Sequence, residues 1–502
     1  MIRSAIAAFM LVFAVTEAAA AANPDLAHIQ SINSFIDRAM KRWEVPGIAI
    51  AVIRDGALVY RRVSGLRDVE RNLPVTKDTL FAVGSISKSF TVTGLAMLAR
   101  AGKLDWDAPV TNYLPELTLR PPHPGQPGRP VSTRDLITHR SGMHRHDALW
   151  YLHAYSRNGL LRRLKHLPRF APAGAEFQYS NLMVMAAGRI AGKISGGSWE
   201  KLTREKILIP LGMKHTRLGL AEFLAAPDRA SGYYPAADGR IKILTRDTDA
   251  IGPAASVYSD IKDMTRWLRH LFGAGDMTYD MTTARIDISD PSGPLELGPQ
   301  AYGMGLYVGS YREHALARHP GVIDGYGALM SFMPKRKLGI MVMTNKSGGN
   351  PAPAAISYAI YDRLLGLKPT DWLHRFPSSG ERRDSRREPP EQSASPLSPP
   401  PLPMESYSGA YEHPAYGRMK INTAEGATLA GRFHALSFVL KYAGDSKWRL
   451  TETQWPLREG LIFRFKAGPG GKITRLATPL ADGPTYRHNP GELYFDRVAD
   501  AP

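Results

Sequence analysis

The sequence predicts an α/β chain of the α+β kind: one antiparallel sheet flanked by terminal helices, a mostly helical insertion within it, and a small all-β barrel at the C-terminus. Three observations predict it. Two apolar β-type runs lie early, at residues 48–53 and 57–63, and two lie late, at 328–333 and 338–344. A helical pattern precedes the early pair and another follows the late pair. Beyond a proline-rich break the pattern changes to short alternating segments with glycine turns.

The first helix is read from Leu26, Ile29, Ile32, Phe35, Ile36, Ala39, Met40 and Trp43, which recur at helical spacing and stop before Val45-Pro46-Gly47. Asp55-Gly56 between the early runs is a hairpin signal. The late runs are separated by Pro334-Lys335-Arg336-Lys337. Residues 351–366 then form a helix with Ile356, Ile360, Leu364 and Leu365 turned inward. From 368 to 404 the chain is charged and then proline-rich, an extended linker. After it, beats at Phe438, Leu440, Leu461, Phe463 and Phe465 and the turn at Gly468 mark the small β domain, residues 405–502.

Residues 1–22 read as a secretory signal. Arg3 gives a positive start, residues 5–15 an apolar core, and residues 18–22 a small-residue cleavage site. That run is too short to span a bilayer comfortably. The chain holds no cysteine, which excludes a disulfide framework, a thiol nucleophile and a lipid anchor on cysteine. The expected location is therefore the periplasm or the exterior. The net charge is +18. For an exported chain, anionic cell-envelope polymers are the available acidic partners, and simple solubility accounts for the charge equally well. No basic stripe with interleaved aromatics marks a nucleic-acid module.

Chemistry concentrates at Ser85-Ile-Ser-Lys88. A serine hydroxyl is a poor nucleophile until a neighbour removes its proton, and one helical turn brings residues i and i+3 onto one face. A lysine serves as that base when burial or nearby cations lower its pKa. Ser198…Lys201 and Ser259…Lys262 have the same spacing but lie in charge-rich amphipathic stretches. Ser85 instead follows Gly84 and opens an apolar helix that ends before Gly102, which places it at the positive end of the helix dipole.

Two further elements follow in order. Tyr179-Ser180-Asn181 is the only Tyr-x-Asn in the chain, and it precedes an apolar helix at 182–190. Its phenol suits proton transfer between Ser85 and a leaving group, and its amide suits holding Lys88 and a substrate carbonyl. His319-Pro320-Gly321 leads into the late strand pair, where the glycine lets a substrate lie along the strand. A second His-Pro-Gly, at 123–125, sits in a proline-rich loop.

With these three motifs the chain resembles the β-lactamase-like serine hydrolases, which include class C β-lactamases, penicillin-binding carboxypeptidases, D-aminopeptidases and related esterases. The likeness covers about residues 25–366 and extends to Val45-Pro-Gly-Ile-Ala-Ile-Ala-Val, Leu136-Ile-Thr-His-Arg-Ser-Gly142 and Tyr302-Gly-Met-Gly305. The C-terminal segment looks like the lipocalin-like barrel of some members. The resemblance implies a hydrolase domain at 23–367 that forms an acyl-enzyme on Ser85. Lys88 and Tyr179 would share the proton transfers, and Asn181 would orient them. The N–H groups of Ser85 and Val322 would hold the oxyanion, with His319 and Gly321 lining the substrate site. No cofactor is implied. The chain departs from the β-lactamases at His319, where they carry a lysine that binds a substrate carboxylate; a neutral imidazole is a weaker partner for one. The expected substrates are small molecules or peptides with amide or ester bonds. The competing expectation is a catalytically weak receptor for penicillins or peptidoglycan fragments.

Other groups carry less. His139, His144, His146 and Asp147 lie close in sequence, but their spacing puts no two imidazoles on one helix face, so no metal is expected there. Trp150, Tyr151 and Tyr155 with Arg162, Arg163, Lys165 and Arg169 suit either a lid or a packed helix. Ser256-Val257-Tyr258 suits either a cleft wall or a core turn.

Overall fold

The computed structural model describes residues 32–122, 128–152, 154–236, 239–273, 275–288, 294–378, 381, 399–453, 461–478, 480 and 493–499. The expected signal segment, the loop His at 123 and most of the expected linker lie outside these residues. Among the described residues no helix is long and apolar enough to cross a membrane.

The predicted antiparallel sheet is present and has nine strands. Helix α1 (Asn33–Arg42) leads into β1 (Gly47–Arg54) and β2 (Ala57–Asp68). The nucleophile region then gives α2 (Ser87–Arg100), and the insertion gives α3 (Asn181–Ile194). The chain returns through β3 (Tyr307–Tyr311), β4 (His314–Ile323), β5 (Tyr326–Met333) and β6 (Leu338–Thr344), closing with α4 (Ala352–Leu364). The spatial order is Leu73–Pro74, β2, β1, β6, β5, β4, β3, Ala301–Tyr302, Ile286–Asp287. The first and last major strands thus pair at the centre, Ile48 opposite Thr344 through Arg54 opposite Leu338.

Central strands are covered on both faces, and period-two alternation sorts their side chains. Ile48, Ile50 and Val52 of β1 join Ile340 and Val342 of β6 under α1 and α4. Ala49, Ala51, Ile53, Met341 and Met343 face the opposite way, into the core shared with α2 and α3. Sequence reading found four strands and missed the outer ones because they are short and mixed. In sequence the segment around His319 looks only like a lead into the late pair. It is itself a full strand, β4, paired to β5 with His319 opposite Met330.

The linker begins later than its composition suggests. Trp372, in the short helix Trp372–Arg375, is fully buried, and its indole N–H donates to Asp362 at 2.9 Å. Its ring lies against Tyr358, and the Trp43 indole N–H donates to Pro377 O at 3.0 Å. One buried tryptophan outweighs a polar local composition. Farther on, β7 (Gly409–His413), β8 (Gly417–Thr423), β9 (Thr428–Phe433), β10 (Leu436–Tyr442), β11 (Lys447–Thr453), β12 (Ile462–Ala467), β13 (Ile473–Thr478) and β14 (Leu493–Val498) form a closed eight-stranded antiparallel barrel. An eight-stranded barrel has just enough interior for side chains. Phe433, Phe438, Trp448, Phe463, Phe465 and Phe495 fill it, and Gly431 admits the Phe438 ring where a Cβ would sit 2.1 Å from it.

Trp372→Ala should therefore lower the unfolding free energy by about 3–5 kcal/mol, the usual cost of emptying a buried tryptophan site. Urea denaturation followed by circular dichroism measures it. A change near zero would return residue 372 to the linker.

Candidate active site

Ser85 lies in a 3₁₀ turn, Gly84–Ile86, that runs directly into α2. It is half-buried within an otherwise buried segment. Two glycines bring this turn against β4. Gly84 has φ +52°, and a Cβ on it would meet Val322 N at 2.9 Å. A Cβ on Gly321 would lie 1.9 Å from Val83 O. Backbone therefore packs on backbone here, and the N–H of Val322 comes beside the Ser85 turn while the Val322 side chain is 61 % exposed.

Lys88 is buried, and its Nζ has three oxygen neighbours: Ser85 Oγ at 3.0 Å, Asn181 Oδ1 at 2.8 Å and Ala254 O at 3.0 Å. Burial, then the Arg145 guanidinium, hold its pKa well below that of an ordinary lysine, against the opposing pull of Asp147. A neutral amine has two N–H donors and one lone pair. Asn181 Oδ1 and Ala254 O are acceptors only, so they take the two donors, and the lone pair is left for the hydroxyl of Ser85. That geometry accepts a proton from serine.

Asn181 sits at the start of α3. Its Nδ2 donates to Asp147, 3.0 Å from Oδ1 and 3.3 Å from Oδ2. Asp147 is buried, pairs with Arg145, and accepts from the Trp150 indole at 2.6 Å. The carboxylate fixes which end of the amide faces Lys88 and leaves one N–H for a substrate carbonyl. Tyr179 completes the group. Lys88 Nζ lies 4.8 Å and the Arg145 guanidinium 5.0 Å from its ring centroid, and His139 packs on it at 4.2 Å. His139 Nδ1 accepts from Ser180 N at 3.2 Å, so it anchors the same loop.

The structure places His319 differently from a substrate-facing group. It is 1 % exposed, its Nδ1 lies 2.7 Å from Pro320 O, and its Nε2 lies 2.9 Å from Tyr302 Oη. Pro320 O can only accept, so Nδ1 carries the hydrogen and Nε2 accepts from tyrosine. Burial, then Lys88, push its pKa down to about 3. The imidazole is neutral and both nitrogens are occupied.

Sequence reasoning missed Arg145, Ala254 and Tyr302, and saw Asp147 only among metal-type residues. Tyr302 lay within a quoted motif, and Arg145-His-Asp147 lay between two of them, but no spacing rule links them to Ser85. The four residues weighed as ligands take separate partners: His139 the Tyr179 loop, His144 the Phe170 ring at 4.6 Å, His146 the barrel, and Asp147 the site. Among the described residues the set with metal-type spacing is Asp78, His215 and Asp260. The Lys262 ammonium already sits on Asp78, and His215 Nδ1 lies 2.7 Å from Asp260. The other Ser–Lys pairs are structural: Ser198 caps a helix through Lys201 N, and Ser259 bonds Thr216. The aromatic stretch is packed, with Trp150 on Asp147 and Tyr151 on Asp324. Ser256 bonds Thr248, and Val257 N donates to Ser87 Oγ behind the nucleophile turn, so that segment is the site's rear wall.

Two outcomes follow for a fluorophosphonate, which phosphonylates an activated serine. The labelling rate of Ser85 should rise with pH as Lys88 loses its proton, and His319, whose pKa burial pushes down to about 3, should add no step of its own. A step near pH 6.5 abolished in His319→Asn would contradict this. Asp147→Ala should slow labelling about 100-fold by releasing the Asn181 amide, the scale expected for a misplaced catalytic group. Labelling at the wild-type rate would remove Asp147 from the site.

Comparison with known proteins shows the family. Residues 32–365 match the Beta-lactamase family, and residues 393–491 match a domain of unknown function, DUF3471. The chain is 29 % identical to an unguisins hydrolase of Aspergillus violaceofuscus over 444 residues, 79 % of this chain and 77 % of that one. It is 28 % identical to a β-lactamase of Escherichia coli over 375 residues, 67 % of this chain and 94 % of that one. The structure of an octameric penicillin-binding protein homologue from Pyrococcus abyssi shares the fold, with a TM-score of 0.61 at 23 % identity over 89 % of this chain and 97 % of that one. The chain belongs to the Beta-lactamase family and is a serine hydrolase of that superfamily.

Proposed function

We propose that the chain is exported and hydrolyses amide or ester bonds of small peptides or related molecules through an acyl-enzyme on Ser85. The observation that carries this reading is the Lys88 amine, directed by two acceptors so that its lone pair meets the Ser85 hydroxyl at 3.0 Å. Ser85 Oγ attacks the carbonyl carbon as its proton passes to Lys88. The oxyanion forms beside the N–H groups of Ser85 and Val322, donors of a kind worth about 3 kcal/mol each. Lys88 and Tyr179 return the proton to the leaving amine or alcohol. Water then attacks the acyl-enzyme along the same path, releasing the acid and restoring Ser85.

The third motif supports the substrate class. A neutral His319 with both nitrogens bonded supplies no cation for a carboxylate next to the scissile bond. An unguisins hydrolase among the similar proteins supports a substrate range beyond β-lactams. Export rests on the N-terminal pattern of Arg3, the apolar run and the small residues at 18–22.

Ser85→Ala should abolish fluorophosphonate labelling and turnover together. On a panel of D-amino-acid amides, short p-nitrophenyl esters, nitrocefin and peptides ending in D-Ala-D-Ala, kcat/KM should be at least about tenfold higher for the amides or esters that lack a carboxylate than for the carboxylates, the effect of one missing charged contact. A preference for the carboxylate substrates would contradict the reading. Cell fractionation and N-terminal sequencing should find the chain outside the cytoplasm, beginning near residue 23.

A further inference from the structure

Tyr416 belongs to the barrel, in the turn between β7 and β8, and is fully buried. Its hydroxyl lies 2.8 Å from Nδ1 of His146, in the hydrolase domain. His146 is 2 % exposed, and its buried Nε2 has no hydrogen-bond partner among the described residues. Among the described residues the barrel hydroxyl is thus the one hydrogen bond of the His146 ring. The backbone of His146 has φ +48°, a conformation that a non-glycine residue holds only when its surroundings fix it. A second contact seats the barrel at the same corner, where Tyr155 meets His434 edge to face at 6.2 Å.

The neighbours of His146 in sequence are Arg145 and Asp147. Arg145 lies over the Tyr179 ring, and Asp147 holds the amide of Asn181, which holds Lys88. We propose that Tyr416 is a positioning residue of the Ser85 site: by holding His146, its hydroxyl sets where Arg145 and Asp147 stand, and through them the orientation of Asn181 and Lys88. The barrel is then a working part of the active site rather than a tethered accessory. This inference rests on the hydrolase reading above.

The consequence is readable because Arg145 and Asp147 are also charges felt by Lys88. The other titratable groups facing that amine are His139 and His319, with the Tyr179 ring beside it, while His144 and His413 face His146. Tyr416→Phe substitutes none of these residues. Burial, then the neighbouring His144 and His413, hold the pKa of His146 well below the ordinary histidine value.

The test uses the full-length protein and Tyr416→Phe, which keeps the ring and removes the oxygen. Fluorophosphonate labelling of Ser85 should slow about tenfold, and the pH at half-maximal labelling should move. With a p-nitrophenyl ester the loss should fall on kcat more than KM. His146→Gln should do the same, and the double variant should lose no more than the worse single, as residues acting through one contact do. Tyr416→Phe with the wild-type rate and pH midpoint, or losses that multiply in the double variant, would overturn the inference. A fall in melting temperature with an unmoved pH midpoint would also overturn it, since it reduces Tyr416 to a packing residue. A wild-type protein that is never labelled would overturn the hydrolase reading and this inference with it.

Discussion

The buried amine of Lys88 sets the terms for the rest of the site. A charged ammonium removed from water is costly, so burial favours the neutral form. A neutral amine still carries two donors and a lone pair that need partners. Asn181 Oδ1 and Ala254 O satisfy the donors, and the serine one turn earlier in the chain is the remaining neighbour. Burial therefore creates the base and also aims it. The cost is a requirement for order. Asn181 must keep its oxygen towards Lys88, which the carboxylate of Asp147 enforces, and Asp147 must itself be paired, which Arg145 and Trp150 provide.

The same logic explains the glycines. The nucleophile turn and β4 approach so closely that a Cβ on Gly84 or Gly321 would strike backbone. This contact carries the Val322 N–H to the Ser85 turn and leaves the strand's outer side open. His319 lies behind that surface, tied to Tyr302 and Pro320. Its role in the structure is to hold the strand in place from the inside.

Much of this was legible in the sequence, for reasons that differ between elements. Four central strands were readable because they are apolar and bounded by turn residues. Ser85, Lys88, Tyr179 and Asn181 were readable because local spacing and chain order mark them, and the structure brings them together. What escaped was chemistry made by tertiary contact. Ala254 contributes only a backbone carbonyl, which any residue could supply. Asp147 looked like a stray acid beside histidines until folding set it against Asn181. His319 was assigned to the right motif but expected to line the cleft, since the sequence does not show that Tyr302 and Pro320 occupy its nitrogens. Trp372 has polar neighbours in sequence and so resembles linker, while its ring is core. The short outer strands carry too little pattern to be seen.

The central claim is that Lys88 is neutral where the enzyme works, and its own titration tests it most directly. The Cε and Nζ resonances of Lys88 in isotope-labelled protein, followed by NMR against pH and assigned through Lys88→Met, report its protonation. The midpoint should lie well below the ordinary lysine value of about 10.4, with the amine uncharged at the pH of maximal Ser85 labelling. A midpoint near 10 would leave an ammonium beside Ser85 and no base at 3.0 Å, and would contradict the account.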